Sequence, residues 1–410
     1  MAGFNKNKII NDPVYGFLTI PTETVYDVIQ HPYFQRLRRI RQLGLSELVY
    51  PGATHTRFHH ALGALNLMIR AVDTLKRKGV EITDEETEAV YLGILLHDIG
   101  HGPFSHTLEH VIVKGVHHEQ ISELMMHRIN REMDGKLSLA IDIFKQKYTN
   151  KPFLGQLISG QLDMDRLDYL QRDSFYTGVS EGIVGTERII NMLNVCDGQL
   201  VVEAKGIYSV EKFLIARRLM YWQVYLHKTV ISAEMLLTLI MQRAKELVLQ
   251  GVPLFCTSTL KYFLTNPFST GKDSVDIFAR LDDYDVMASV KEWTVSEDKI
   301  LRLQCQRLVS RKLLKSSWTL EPPTQEFIEA VRESIAIKYQ ISSQEAGYLM
   351  KTDLVQQLPY DAAKGEIMVL MKNGKLKNIF EASDNLSREN LSKVVSKYII
   401  CYPKETNLLI

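Results

Sequence analysis

The chain has 410 residues, 45% of them hydrophobic and 24% charged, with a formal net charge of +1. That is the composition of a globular protein with room for more than one core. It supplies no long-range attraction for nucleic acid or anionic membrane, so any anion site must be local. The four cysteines, Cys196, Cys256, Cys305 and Cys401, have no CxxC spacing and read as reduced thiols of a cytoplasmic protein. Met1 to Pro13 has no apolar signal core. No apolar run approaches the ~18 residues of a membrane span, and the longest, Ala233 to Met241, fits a buried helix face.

Asn11 to Gly16 is turn material, followed by a short β-like run, Phe17 to Ile20. Val25 to Gln30 reads as a helical turn stopped by His31-Pro32. Tyr33 to Leu43 reads as a helix with an apolar stripe of Phe34, Leu37 and Ile40, interleaved with Arg36, Arg38, Arg39 and Arg41. Those arginines form either a solvated or interfacial basic face, which composition favours, or a phosphate-binding surface. A helix from Ala61 to Lys78 stops at Gly79, and the capping box at Thr83 to Glu86 opens the next, which runs to His97-Asp98. His60 therefore starts one long helix and His97-Asp98 ends its neighbour. Antiparallel packing across the short loop brings these ends together.

The chain breaks at Gly100 and Gly102-Pro103, with His101 and His106 in the turn. His106 to Val113 reads as helix, and His106 and Glu109, at i and i+3, can pair as imidazole and orienting carboxylate. His118 opens another helix through Ile129. Leu157 to Leu170 reads as a helix carrying Asp163, Asp165, Arg166 and Asp168. Leu200 to Glu203 and Ile207 to Val210 read as a β-pair, and Glu211 to Leu249 as one long helix. A helical pattern continues, with breaks, to about Lys315, and Glu321-Pro322-Pro323 is the best linker. Ile367 to Met371 and Leu376 to Phe380 flank Asn373-Gly374, a hairpin signal. Ser387 to Ser396 reads as helix and Tyr398 to Tyr402 as a third strand. The expected architecture is mainly α: a helical domain over 1–316 and a small α+β domain over 317–410.

Imidazole beside carboxylate suits a divalent transition metal. His97-Asp98 alone is a weak sign, because a structural histidine beside a capping Asp looks the same. The order H…HD…D formed by His60, His97-Asp98 and Asp165 strengthens it. That order resembles the HD-domain metal-dependent phosphohydrolases, and most nearly the deoxynucleoside triphosphate triphosphohydrolases. The resembling stretches include Phe34 to Arg38, Gln42 to Gly44, Tyr50 to Ala53, Arg57 to His60, His97 to His106, His118 to Gln120, Asp163 to Asp173, and Tyr225 with His227-Lys228. They keep the family's order over roughly residues 11 to 230.

The resemblance implies an HD-domain helical bundle and hydrolysis of dNTPs to deoxynucleoside and inorganic triphosphate. It implies a metal on His60, His97, Asp98 and Asp165. Two imidazoles and two carboxylates suit Mn, Fe, Ni, Co or Zn, with Mg as a second ion on the triphosphate. Such an ion serves as Lewis acid and activator of water. His101 and His118 would act at the α-phosphate or, alternatively, hydrogen-bond behind the ligands; His106 with Glu109 would be a paired acid. Arg57, Arg166 and Arg217 would grip the triphosphate. Tyr169 would pack under the sugar, Gln42 and Asp173 would bond the 3′-hydroxyl, and Tyr225 would close the pocket against a 2′-hydroxyl. Asp163 and Asp168 are either surface charges or orienters of Arg166 and the ligating histidines, and His59 is surface or behind the ligands.

Gln30 stands where nucleotide-activated relatives carry a guanine-reading acid, while Gln35 and Arg38 remain. The expectation is a homo-oligomer, dimer or tetramer, with a regulatory nucleotide but no strict need for GTP. Membrane and nucleic acid are not expected partners. Two other readings compete: hydrolysis of a nucleoside monophosphate or cyclic nucleotide, and a non-enzymatic nucleotide- or single-stranded nucleic-acid-binding module on the basic helix. A single phosphate does not need three arginines, and the neutral charge and intact metal quartet oppose a binding module.

Overall fold

A computed structural model describes residues 8–113, 115–357, 360, 365–389 and 394–406. The chain opens with a hairpin, β1 (Ile9–Asp12) and β2 (Gly16–Thr19), whose turn is closed by Asp12 Oδ1 accepting from the N–H groups of Val14 and Tyr15. Thr22 caps the helix Glu23–Gln30, and His31 ends it and caps Pro32–Gln35. The helix expected over Tyr33 to Leu43 stops there. A 3-10 turn, Arg36–Arg39, follows, and Ile40 is extended. The expected stripe is in place, with Phe34, Leu37 and Ile40 fully buried. Arg36 is not on a solvated face: it is fully buried and donates to the carbonyls of Leu281 and Ile99. Two turns of the chain, one holding Ile99 and His101 and the other Leu281, meet at that guanidinium, and their carbonyls need donors that no helix supplies.

Two long helices, Arg57–Arg77 and Asp84–Leu96, form the centre of the core, and Met164–Thr177 packs along the first. Both faces of Asp84–Leu96 are apolar, as befits a helix surrounded by others. Gly63 makes the packing of Met164–Thr177 on Arg57–Arg77 possible. A Cβ there would lie 2.0 Å from Asp168 and 2.1 Å from Arg172, so the helices meet over a buried ion pair. The single helix expected over Leu157 to Leu170 is two, Pro152–Ile158 and Met164–Thr177. Asp163 divides them by capping the second through the Arg166 N–H at 2.7 Å.

The β-pair expected at 200–203 and 207–210 is also shifted. β3 (Leu193–Cys196) and β4 (Gln199–Glu203) form the hairpin, and Ile207 instead begins the helix Ile207–Met220. Its loop is Asp197-Gly198, both left-handed, which is the two-residue turn that matches strand twist. The expected helix over Glu211 to Leu249 is interrupted by a π-turn, Tyr221–Tyr225, before Lys228–Leu249, which buries Ala233 to Met241 except Glu234. Among the described residues no single helix is long and apolar enough to cross a membrane.

Beyond residue 314 come β5 (Lys315–Thr319), β6 (Lys351–Gln357), β7 (Met368–Leu370), β8 (Leu376–Asn378) and β9 (Val395–Tyr402). β7 and β8 form the expected Asn373-Gly374 hairpin, with Gly374 left-handed. β7 also pairs in parallel with β4, giving a sheet ordered β3-β4-β7-β8. The expected strand at Tyr398 to Tyr402 lies in β9, between β5 and β6 in a separate sheet rather than beside the hairpin. Of the helix expected over Ser387 to Ser396, residues 390–393 lie outside the described residues, and Val395 and Ser396 belong to β9. The protein is mainly α with a C-terminal α+β region.

Candidate metal centre and substrate cavity

His60 sits in the first turn of one central helix and His97 caps the end of the other. Their Nε2 atoms face each other at 3.4 Å. Asp165 Oδ1 lies 3.1 Å from His60 Nε2 and 3.4 Å from His97 Nε2. Asp98 Oδ1 lies 3.4 Å from His97 Nε2. The other ring nitrogens are engaged: His60 Nδ1 donates to Asp168 at 2.8 Å and His97 Nδ1 to the Ile94 carbonyl at 2.6 Å. Once deprotonated, each Nε2 presents a lone pair, and two lone pairs and carboxylate oxygens converge on one point. Protons or a metal ion neutralise that arrangement, and the donor set fits a divalent transition ion.

Charges around the cluster agree. Burial lowers the His60 pKa, but the Asp165 and Asp168 carboxylates outweigh it and raise it to about 10. A proton and a divalent cation thus compete for the same nitrogen. Burial would push Asp165 up, yet bonds from His60 and His97 hold it well below the carboxylate range. Asp168 in turn receives Arg172 Nε at 3.0 Å, and Arg172 Nη1 donates to Asp12 at 2.8 Å. This chain is almost fully buried. Removing one member of such a network leaves an unpaired buried charge, at about 3–5 kcal/mol. Asp168 is thus an orienter of His60, and Asp163 likewise binds the Arg166 guanidinium.

The cluster opens into a cavity of about 530 Å³, within the usual range for a small-molecule site. Gln42, Arg57, Asp98, His101, His118, Asp165, Tyr169, Asp173 and Tyr225 line it, all of them expected site residues. Tyr225 donates to Asp173 Oδ2 at 2.8 Å, and His55 Nε2 meets Asp173 Oδ1 at 2.7 Å. Tyr169 stands edge-on to Tyr225, with ring centroids 6.1 Å apart. The buried Gln42 Oε1 has no hydrogen-bond partner among the described residues.

His101 and His118 stack at 3.8 Å. Glu109 Oε1 accepts from the His118 N–H at 2.9 Å and lies 3.3 Å from its Nδ1. Glu109 therefore orients His118; the His106 side chain, its expected partner, lies outside the described residues. Arg57 donates to Asp98 and to Ser105 Oγ. Two of the three expected phosphate-gripping arginines are not in the cavity wall. Arg166 is tied to Asp163 and the Gly160 carbonyl. Arg217 is buried beside Tyr169, and its Nε and Nη1 have no partner among the described residues.

The cavity also holds Phe104 and Ser105, from the His97-to-His106 stretch, and residues that no motif announced: Ser46, Thr107, Tyr221, Leu226 and Glu234. Burial raises the Glu234 carboxyl to about 7, against a hydrogen bond from Thr107 that lowers it. Outside the cavity, Gln35 donates to the Ile29 carbonyl at 2.7 Å and accepts from Arg38 Nε at 2.8 Å. Arg38 lies 3.6 Å over the Phe58 ring, and Gln30 is exposed.

The HD domain model matches residues 57–173 and the HD associated region residues 184–251. A phosphohydrolase structure from Bacteroides thetaiotaomicron is similar at 52% identity, with a TM-score of 0.94 over 97% of this chain and 100% of that one. The Bacillus subtilis protein YwfO, of uncharacterised function, is 33% identical over 98% of this chain and 93% of its own length. The Dictyostelium discoideum deoxynucleoside triphosphate triphosphohydrolase SAMHD1 homolog is 31% identical over 56% of this chain and 48% of its own.

Proposed function

The chain belongs to the HD-domain phosphohydrolases, and from that membership we propose that it hydrolyses dNTPs to deoxynucleoside and inorganic triphosphate. His60, His97, Asp98 and Asp165 hold the metal. The observation that carries the reading is the junction of that donor cluster with a cavity that also contains the Tyr225–Asp173 pair. Polyphosphate needs cations, and the sugar needs a wall that counts hydroxyls.

The metal, when bound, supplies Lewis acidity at the phosphate and lowers the pKa of water. The protein side chains do the rest. Arg57 is held at the cavity by Ser105 and neutralises phosphate charge as it accumulates. Arg217, with unpaired donors, receives the outer phosphates after a small side-chain movement. His118, oriented by Glu109, and His101, stacked on it, exchange protons at the α-phosphate. Tyr225 and Asp173 hold the deoxyribose, with Gln42 on the 3′-hydroxyl, and Tyr169 packs beneath. We also propose a homo-oligomer, with the exposed Arg38 and Arg39 rather than the buried stripe at its interface, and Gln30 in place of an acid removes a strict need for GTP.

A panel of four dNTPs with Mn²⁺, with and without GTP or dATP, tests this by product chromatography. Deoxynucleoside and triphosphate are expected from dNTP alone. A first product of dNMP and pyrophosphate overturns the reaction, and a GTP-dependent monomer overturns the regulation.

A further inference from the structure

Two consecutive residues of the glycine turn, Phe104 and Ser105, sit in the left-handed region at φ 53° and 50°. Neither is glycine, so the conformation needs outside support. The support comes from the first residue of the helix Asp283–Glu292, beyond both segments matched to the family. Asp283 is buried, and its two oxygens go to two different strands of chain. Oδ1 accepts from the Phe104 N–H at 2.9 Å, and Oδ2 accepts from the Arg41 N–H at 2.9 Å. Arg41 precedes Gln42, and Phe104 precedes Ser105, so one carboxylate ties together two parts of the cavity wall.

The next link reaches the metal donors. Ser105 Oγ accepts from Arg57 Nε at 3.1 Å and from Nη2 at 2.7 Å, and Arg57 Nη1 donates to Asp98. We propose that Asp283 is a positioning residue for the site: it pins the Phe104–Ser105 turn and, through Ser105, aims the Arg57 guanidinium. The charges around it fit that task. Arg41 spends its guanidinium on Glu47, and Arg39 pairs with the neighbouring Asp282. Among the described residues no side-chain cation lies within ion-pair distance of Asp283, and Arg41 acts on it only at longer range, so its carboxylate accepts from backbone. Burial raises it to about 6, a sign that two N–H donors do not fully repay its desolvation.

The inference rests on the turn's place in the proposed site, not on which nucleotide is cleaved. The test compares Asp283→Asn, Asp283→Ala, Ser105→Ala and the Asp283→Ala/Ser105→Ala double variant in the full chain with Mn²⁺. Hydrogen–deuterium exchange of residues 99–106 and 41–44 is read alongside kcat and KM for dATP. Asp283→Ala is expected to lower kcat at least about tenfold, as for misplaced catalytic groups. KM should move far less. Asp283→Asn, keeping one acceptor, should be intermediate at an unchanged melting temperature, with faster exchange confined to the two segments. The double variant should be no worse than the worse single one, since both break one chain of contacts. Wild-type kcat and exchange in Asp283→Asn and Asp283→Ala overturn the proposal, as do losses that multiply in the double variant. If the parent protein leaves dATP intact, the substrate reading fails, and the exchange arm alone still decides the role of Asp283.

Discussion

At the scale of single residues, the metal cluster separates activity from stability. Asp165 is partly open to the cavity, and its ion-pair partners are the other donors, His60 and His97. Asp165→Ala and His97→Ala should lower hydrolysis by roughly 10³-fold or more, while the metal-free protein melts near the parent temperature. Calorimetry with and without Mn²⁺ checks both halves. Glu234 makes the opposite kind of prediction. Its carboxyl is raised to about 7 in the fold, so the neutral form is favoured there. Stability therefore falls as pH climbs from the usual carboxyl range to about 7, and stays at the lower level above it. Glu234→Gln removes that slope, and its melting temperature should exceed the parent's by a margin that widens from pH 5 to pH 8. A margin independent of pH would show that Glu234 is already ionised. The donor residues were legible because a helix end, two adjacent ligand types and a glycine turn occur together at His97 to His106. Glu234 and Asp283 were not, since each arrives from a distant helix with nothing in its neighbours to mark it. Arg36 misled for a related reason: an arginine on an amphipathic segment looks solvated until carbonyls from residues 99 and 281 arrive beside it.

At the scale of elements, the π-turn Tyr221–Tyr225 aims the sugar wall. A π-turn is an extra residue inserted in an α-helical run, and it places both Tyr221 and Tyr225 in the cavity. Deleting Gln223 should leave helix content by circular dichroism unchanged but rotate Tyr225 away from Asp173. We expect kcat/KM to fall about 100-fold. Tyr225→Ala, which keeps the turn, should instead narrow the preference for dATP over ATP. Equal rates of the parent on ATP and dATP would contradict the second expectation. Hydrophobic periodicity carried the long helices through, including the Thr83 capping box. It could not locate interruptions, because Asp163 and Tyr221–Tyr225 break backbone bonding without breaking the apolar pattern. The Asp197-Gly198 turn, by contrast, is a local signal, and its Asp-Gly pair marks a hairpin one strand earlier than the pair read at 200–203 and 207–210.

At the scale of the whole molecule, the last hundred residues are joined to the rest through sheet hydrogen bonds. β4 precedes residue 316 and β7 follows it, yet they pair side by side. Val369, Ile379, Ile399 and Cys401 belong to the same buried cluster as the central helices. A chain cut after residue 316 should therefore lose the β7 edge over Val201 and Val202 and melt well below the full protein. Differential scanning calorimetry would show one transition for the intact chain. Two well-separated transitions, with the cut chain keeping the upper one, would establish independent units. The hairpin at Asn373-Gly374 could be read locally, but its partner could not, since parallel pairing carries no turn to announce it.

The buried path from Asp12 through Arg172 and Asp168 to His60 also imposes an order in time. A ribosome releases the first of these side chains long before the last. The four proposed metal donors are all out by residue 165, Arg172 follows at once, and Asp283 comes more than a hundred residues later. At about 5–20 residues per second the gap before Asp283 is of order ten seconds. During it the nascent chain owns a complete set of donors but an unpinned turn. Metal captured in that interval would meet donors already made beside a turn that Asp283 has yet to pin.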